Sequence, residues 1–183
     1  PVLTFDGVDD YMQLLGSGLD ILKNVAGCTC FLVIQTTAAN NYPLMISTVS
    51  SSNSRFGARR GSARNLSFDS RTLDADANIN LNSGTADFTA GAFSLDVYMR
   101  DYTQNDGYIY TNGVQKKADT AMTGTSGNTS NTSSVGVTIG ANRPGSSMII
   151  GQIAAIAIYD VMLSMTDRAF LENVWRKKYR SLW

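Results

Sequence analysis

"GQIAAIAIYDVMLS", residues 151–164, is the stretch whose reading decides the fold. Along an extended chain Gln152, Ala154, Ile156 and Ile158 point one way, and Ile153, Ala155, Ala157 and Tyr159 the other. Neither set is polar. A strand apolar on both faces needs cover on both, a sheet interior on one side and a separate element on the other. The following residues supply that element. Ser164 with Asp167 forms an N-cap pattern, and Phe170 with Val174 and Leu171 with Trp175 recur at four-residue spacing, which predicts one amphipathic helix over 165–179. It ends in "RKKYR", whose cations suit the negative carboxyl end of the helix dipole. This helix is expected to pack on the outer face of the last strand.

Upstream, short runs rich in Val, Ile, Phe, Tyr and Thr alternate with clusters of Gly, Asn, Ser and Asp, as in an antiparallel sandwich. They are "VLTFD", "YMQLL", "CFLVIQT", "LMISTVS", "RNLSFD", "FSLDVYMR", "YIYTN", "GVQKK", "VGVTIGA" and "MIIGQIAAIAIY". In "DGYIYTNGVQKK", Asn112-Gly113 supplies the positive φ angles of a two-residue type I′ turn, so this segment is a hairpin. "MTGTSGNTSNTSSVG", residues 122–136, offers little to bury and is expected to be a long loop left in solvent. Cys28 and Cys30 lie two apart on one strand face, too poorly placed to bridge, and read as buried thiols.

The chain has 183 residues with 15 basic and 15 acidic side chains and no histidine, so no global field favours nucleic acid or an anionic membrane. No window approaches the apolar length of a membrane span, and no membrane insertion is expected. One domain over 1–183 is expected, and the abrupt start at Pro1 favours a piece of a longer polypeptide.

Four segments in order, "LTFDGVDDYMQL", "YIYTNGV", "TIGANR" and "GQIAAIAIYDVMLSMTDRAFLENVWRKKY", resemble the laminin G-like, or concanavalin A-like, lectin and glucanase superfamily. The resemblance implies an all-β fold: a two-sheet antiparallel jelly-roll sandwich with the short C-terminal helix packed on the last strand. The leading "LDILKNVAGCT" and the closing "KKY" are most similar to domains appended to bacteriophage tail fibres and other virion adhesins. That likeness implies a place on the virion, at the phage tail or capsid surface, beside other virion proteins, and allows a homotrimer.

Hydrolytic members of that superfamily carry a Glu-x-Asp-x-x-Glu pattern on one strand, because retaining glycoside hydrolysis needs two close carboxyls. Here there is one glutamate, Glu172, and it falls on the closing helix. Aspartate pairs such as Asp74 with Asp76 or Asp9 with Asp10 lie beside turn residues and read as turn formers. Without histidine there is no Ser-His-Asp or Cys-His arrangement. No enzyme activity and no cofactor are expected; calcium, which some laminin G-like domains hold at a sandwich rim, would fall to "GVDDY", which lacks the ordered spacing of an EF-hand loop.

What remains is binding. Residues 55–71 carry Arg55, Arg59, Arg60, Arg64 and Arg71, half of the arginines, and guanidinium forks suit carboxylates and phosphates of bacterial surface polysaccharide. The alternative is that they pair with Asp69, Asp74 and Asp76 along a sheet rim. "NNYP" and "RDYTQNDGY" offer aromatic rings beside amides and carboxylates on loops, the mix a sugar site needs. The candidate glycan-binding residues are therefore Tyr42, Arg59, Arg60, Tyr102, Asn105 and Asp106. Replacing Arg59 and Arg60 together by Ala is expected to cost no more than about 1 kcal/mol, the range for exposed pairs. Trp175 is assigned to the helix underside, and Trp183 to a terminal anchor or a neighbouring chain. The expected function is non-enzymatic adhesion to a host cell-surface glycan or lipopolysaccharide. The alternatives are a structural or decoration domain of the particle and, less favoured, a polysaccharide hydrolase.

Overall fold

A computed structural model describes residues 1–14, 20–37, 41–47, 54–133, 136–142 and 146–183. The ends of "YMQLL" and "LMISTVS", Asn40 of "NNYP" and Arg143 of "TIGANR" lie outside the described residues. Twelve strands are described: β1 Leu3–Asp6, β2 Met12–Leu14, β3 Gly27–Thr36, β4 Asn41–Ser47, β5 Ser54–Arg60, β6 Leu66–Ser70, β7 Ile79–Asn82, β8 Phe93–Asp101, β9 Asp106–Thr111, β10 Val114–Asp119, β11 Gly136–Ile139 and β12 Ile150–Tyr159. One helix, α1 Met165–Lys178, closes the chain before a single 3-10 turn, Arg180–Leu182.

The strands form two six-stranded sheets, ordered β1-β12-β3-β8-β9-β10 and β2-β11-β4-β5-β6-β7, and every pairing is antiparallel. This is the antiparallel sandwich expected from the runs, and it is consistent with the jelly roll that the resemblance implies. Alternation builds the shared interior: Cys30, Leu32 and Ile34 of β3 face Leu44 and Ile46 of β4 and Phe56 and Phe68 of β5 and β6 in one buried cluster. Cys28 and Cys30 are indeed free, buried and on that one face.

The intervening residues of the first sheet, Phe31, Val33, Leu95, Val97 and Met99, face outward into a second apolar cluster with Leu171 and Trp175 of α1 and its C-cap residue Tyr179. The helix therefore lies on the outer face of the sheet that contains the last strand, with Ala155, Ala157 and Tyr159 of β12 in the same cluster. Its seat centres on β3, β8 and β9: Trp175 packs on Phe31 with ring centroids 5.6 Å apart, and the Arg168 guanidinium sits 3.8 Å above the Tyr110 ring. Ser164 caps the helix as expected, its hydroxyl accepting from the Asp167 N–H at 3.1 Å.

Two expectations change in detail. Strict alternation along β12 breaks at a bulge between Ile153 and Ala155, so Ile153 joins Ile156 and Ile158 on the interior side while Ala154, Ala155 and Ala157 face the helix side. One extra residue in one strand reverses the phase of everything before it. On α1 only one of the two four-residue pairs points inward: Leu171 and Trp175 join the cluster, whereas Phe170 is 66% exposed and Val174 43%. The inner stripe is completed by Arg168 and Glu172, both buried and paired with each other at 2.7 Å. A pair of opposite charges can occupy a buried helix face that a hydropathy pattern would not mark as buried.

The Asn112-Gly113 turn has φ of 49° and 84°, and Thr111 pairs directly with Val114, as a type I′ hairpin requires. The segment at 122–133 is the loop expected, and most of its residues are exposed, but it is pinned to the sandwich at two places. Thr129 is buried, with its N–H donating to Val25 and its hydroxyl to the Leu22 carbonyl, and Ser130 donates its N–H to Thr72. Small polar side chains that cannot form an apolar core still lock a loop when each finds a backbone partner.

Candidate functional site

The helix covers one outer face of the sandwich, and among the described residues no helix lies on the other. On the second sheet Leu44, Ile46, Phe56, Ala58, Leu66, Phe68 and Leu81 point into the shared interior. Alternation then turns Met45, Gly57, Arg59, Ser67, Asp69, Asn80 and Asn82 outward. Two cross-strand rows result: Arg59, Ser67 and Asn82, and beside it Gly57, Asp69 and Asn80. A bulge between Asn41 and Leu44 lets Tyr42 lean onto the same face.

The polar groups there are organised around Asp69. Its carboxylate accepts from the Tyr42 hydroxyl at 2.9 Å and from the Asn80 amide at 2.8 Å. The Arg59 guanidinium sits 5.7 Å from the centre of the Tyr42 ring. Asn82 accepts from the Asn65 amide at 2.9 Å. Burial, reinforced by Asp69, pushes the Tyr42 hydroxyl up to about 12, so Tyr42 stays a neutral donor. Gly57 is small for a reason: a Cβ there would sit 3.0 Å from the Met45 sulfur, which lies across it. The face presents a cation, a carboxylate and two exposed amides on one rigid sheet, a set that can hydrogen-bond hydroxyls and meet an anionic group.

Of the six residues singled out from sequence, Tyr42 and Arg59 meet on this face. Arg60 does not join them. It is wholly buried between the sheets, where its Nε and Nη2 donate to Asp96 at 2.9 and 2.7 Å and its guanidinium covers Phe88 at 4.3 Å. Neighbours on a strand point to opposite faces, so an adjacent arginine pair cannot form one surface patch. Tyr102 is likewise wholly buried, its hydroxyl donating to the Arg55 carbonyl at 3.4 Å. Asn105 and Asp106 are half-buried at the β8–β9 turn, where Asn105 accepts from Arg100 at 2.8 Å and Asp106 accepts from Tyr108 at 3.5 Å. The Tyr102 hydroxyl meets β5 at Arg55, the opposite end of that strand from Arg59. Arg55 and Arg71 are buried too: Arg55 donates to Ile21 and Ser130, and Arg71 lies 4.0 Å from Asp74. The arginine-rich stretch is thus mostly internal framework.

Asn80 and Asn82 were not singled out from sequence, and Asp69 only as a partner for the arginines. Their signal was the period-2 alternation in "NLSFDS" and "NINLN", where Phe68, Ile79 and Leu81 go inward and the polar residues between them must go outward.

Several carboxylates elsewhere are engaged. Glu172 is buried against Arg168. Asp76 accepts from the Leu73 N–H, the turn-forming role expected of it, whereas Asp74 accepts from the Ser130 hydroxyl, a contact between segments far apart in the chain. Asp6, Asp9 and Asp10 bring carboxylate oxygens within 4.8 Å of one another at an exposed turn. There Asp6 accepts from the Val8 N–H at 2.7 Å and Asp10 from the Asp6 N–H at 3.0 Å, so two of the three already cap backbone donors.

The sequence matches the model of the concanavalin A-like lectin/glucanases superfamily over residues 6–167. No curated protein sequence matches the chain. Similar solved structures include the family 40 carbohydrate-binding module of the Ruminococcus gnavus IT-sialidase bound to α2,3-sialyllactose, with 16% identity, a TM-score of 0.67, and coverage of 93% of this chain and 98% of that one. A second is the NanB sialidase of Streptococcus pneumoniae, K499G mutant, with 14% identity and a TM-score of 0.69, matching 91% of this chain and only 27% of that one. A third is the binding domain of botulinum neurotoxin serotype G, with 12% identity, a TM-score of 0.63, and 96% and 45% covered.

Proposed function

The chain belongs to the concanavalin A-like lectin/glucanase superfamily, and on that premise we propose that it is a non-enzymatic carbohydrate-binding domain whose ligand lies on the helix-free face of the second sheet. One observation carries the reading: Tyr42, Arg59, Asp69, Asn80 and Asn82 are held in register on that face, while α1 covers the opposite face of the sandwich. The likeness in fold to a module bound to sialyllactose supports it. The absence of histidine and the burial of the one glutamate support a binding role over hydrolysis.

The finer setting we propose rests on the sequence resemblance to fibre-borne adhesins. The domain sits on a phage virion beside other virion proteins, as part of a tail fibre or spike, binds a host cell-surface glycan or lipopolysaccharide, and forms a homotrimer. A glycan array followed by binding to whole host cells, with soluble surface polysaccharide as competitor, tests the reading. Binding lost in Arg59→Ala and Asn80→Ala supports it. Equal binding by wild type and both variants would move the site off this face.

A second reading, a structural domain that contacts other proteins of the particle, is favoured by a separate observation. Between edge strands β1 and β2 an apolar cleft of about 400 Å³ is lined by Leu3, Met12, Ile139, Ile153 and Ile156, with Leu3 47% and Met12 45% exposed. Normal particle assembly with no glycan binding under any condition would favour that reading.

A further inference from the structure

Where the 84–94 segment meets the β9–β10 turn and the end of α1, two clefts share a wall made by Ala92, Phe93 and Asn112. One, of about 280 Å³, is closed by Arg176, Leu182 and Trp183. The other, of about 440 Å³, continues past Thr111 and Val114 to Asp87 and Lys116. Together they form a trough along the rim of the first sheet, away from the helix-free face.

Its chemistry is specific. Trp183 is 44% exposed, and its indole N–H donates to the Arg176 carbonyl at 3.3 Å, which fixes the ring beside that arginine. The Arg176 guanidinium lies over Gly113, and among the described residues it forms no ion pair. Glu172, one helical turn earlier, is held by Arg168. Lys116 follows Gly113 by three residues, about 10 Å along the hairpin, with Asp87 at 3.8 Å. Asn112 uses its amide oxygen to accept from the Leu95 N–H at 3.0 Å, which leaves its NH₂ as a donor.

We infer that this trough is a second binding site, for an acidic saccharide: a chain of pyranose rings bearing carboxylates. The inference rests on the carbohydrate-binding reading and adds a site to it. A half-exposed indole suits the CH face of a sugar ring, and the Arg176 fork suits a carboxylate. Two cations against one acid select an anionic ligand over a neutral one. Two adjoining clefts accommodate more than one ring. An acidic peptide supplies carboxylates without the ring face that the indole is placed to meet.

A galacturonate hexasaccharide is the probe, titrated while indole fluorescence and heat are recorded, with its fully methyl-esterified form as the neutral control. The acid form is expected to bind saturably, to perturb Trp183 emission and to weaken as salt rises; the ester is expected not to bind. Arg176→Gln should weaken binding by about tenfold or more, the scale of a lost charge-assisted hydrogen bond. Trp183→Ala should remove the fluorescence change and weaken binding, and Arg59→Ala should keep the change in Trp183 emission. Both rim variants are at exposed positions and should melt with the wild type. Several outcomes overturn the inference: no binding at millimolar probe, binding unaffected by both rim variants, or equal competition by a hexaglutamate peptide. Binding lost only in Arg59→Ala overturns this site while upholding the sheet-face reading; a blank array together with a rim-dependent titration does the reverse.

Discussion

Asp96→Ala removes the centre of the buried polar network between the sheets. The Asp96 carboxylate accepts from Arg60 Nε and Nη2 at 2.9 and 2.7 Å, from Ser94 Oγ at 2.8 Å and from Thr111 Oγ1 at 2.8 Å, and both charged side chains are wholly buried. The substitution leaves the Arg60 guanidinium inside the protein with Ser94 Oγ, Thr36 Oγ1 at 3.2 Å and the Ile34 carbonyl at 3.4 Å as neutral acceptors. Breaking a buried pair from one side costs about 3–5 kcal/mol, which for a chain of this size lowers Tm by roughly 6–20 °C. Urea unfolding followed by tryptophan fluorescence measures it. The double variant Arg60→Met with Asp96→Leu removes both charges and should cost clearly less than the two single changes summed, because no uncompensated charge remains. A loss below about 1 kcal/mol for Asp96→Ala, the range of exposed pairs, or additivity in the cycle would refute the burial argument. The same reasoning overturns the expectation that Arg59 and Arg60 can be replaced together at little cost: the penalty belongs to Arg60, and Arg59→Ala alone should stay within about 1 kcal/mol.

The helix makes a paired prediction: Trp175→Ala should cost about 3–5 kcal/mol in urea unfolding, whereas Phe170→Ala, four residues from Val174 on the solvent face, should change stability by less than about 0.5 kcal/mol. Gly151→Ala should loosen the β12–β3 ladder, because a Cβ there overlaps the Gln35 carbonyl oxygen and backbone cannot move aside; slower-protected amides at Ile34 and Gln35 turning fast in hydrogen exchange would report it. Burial pushes the Cys28 thiol from 9.0 up to about 12. The unfolded chain therefore releases this proton first, so the stabilisation is full below pH 9 and falls as pH rises from 9 toward 12. Native Cys28 should also resist a thiol reagent at pH 8 until urea unfolds the chain, and prompt labelling would contradict its burial.

Sequence by itself determined the parts that local rules govern. The Asn112-Gly113 turn and the Ser164 cap need only neighbours along the chain and stand as read, and the alternating runs mark ten of the twelve described strands but miss β5 and β7. The two-faced apolar character of residues 151–159 required cover on both sides, and both sides are partly covered. What it could not phase was anything that depends on a partner strand. The bulge in β12 is invisible until β3 lies beside it, and "SRFGARR" reads as a charge patch until pairing makes it β5 and sends Phe56, Ala58 and Arg60 inward. Tertiary structure alone decided which arginines are framework and which meet solvent. Whether a guanidinium is buried depends on an Asp96 thirty-six residues away, and whether Arg59 faces a ligand depends on Asp69 and Asn80 arriving from neighbouring strands. A site on a sheet face is assembled across strands, and cross-strand distance has no image in the order of residues along one chain.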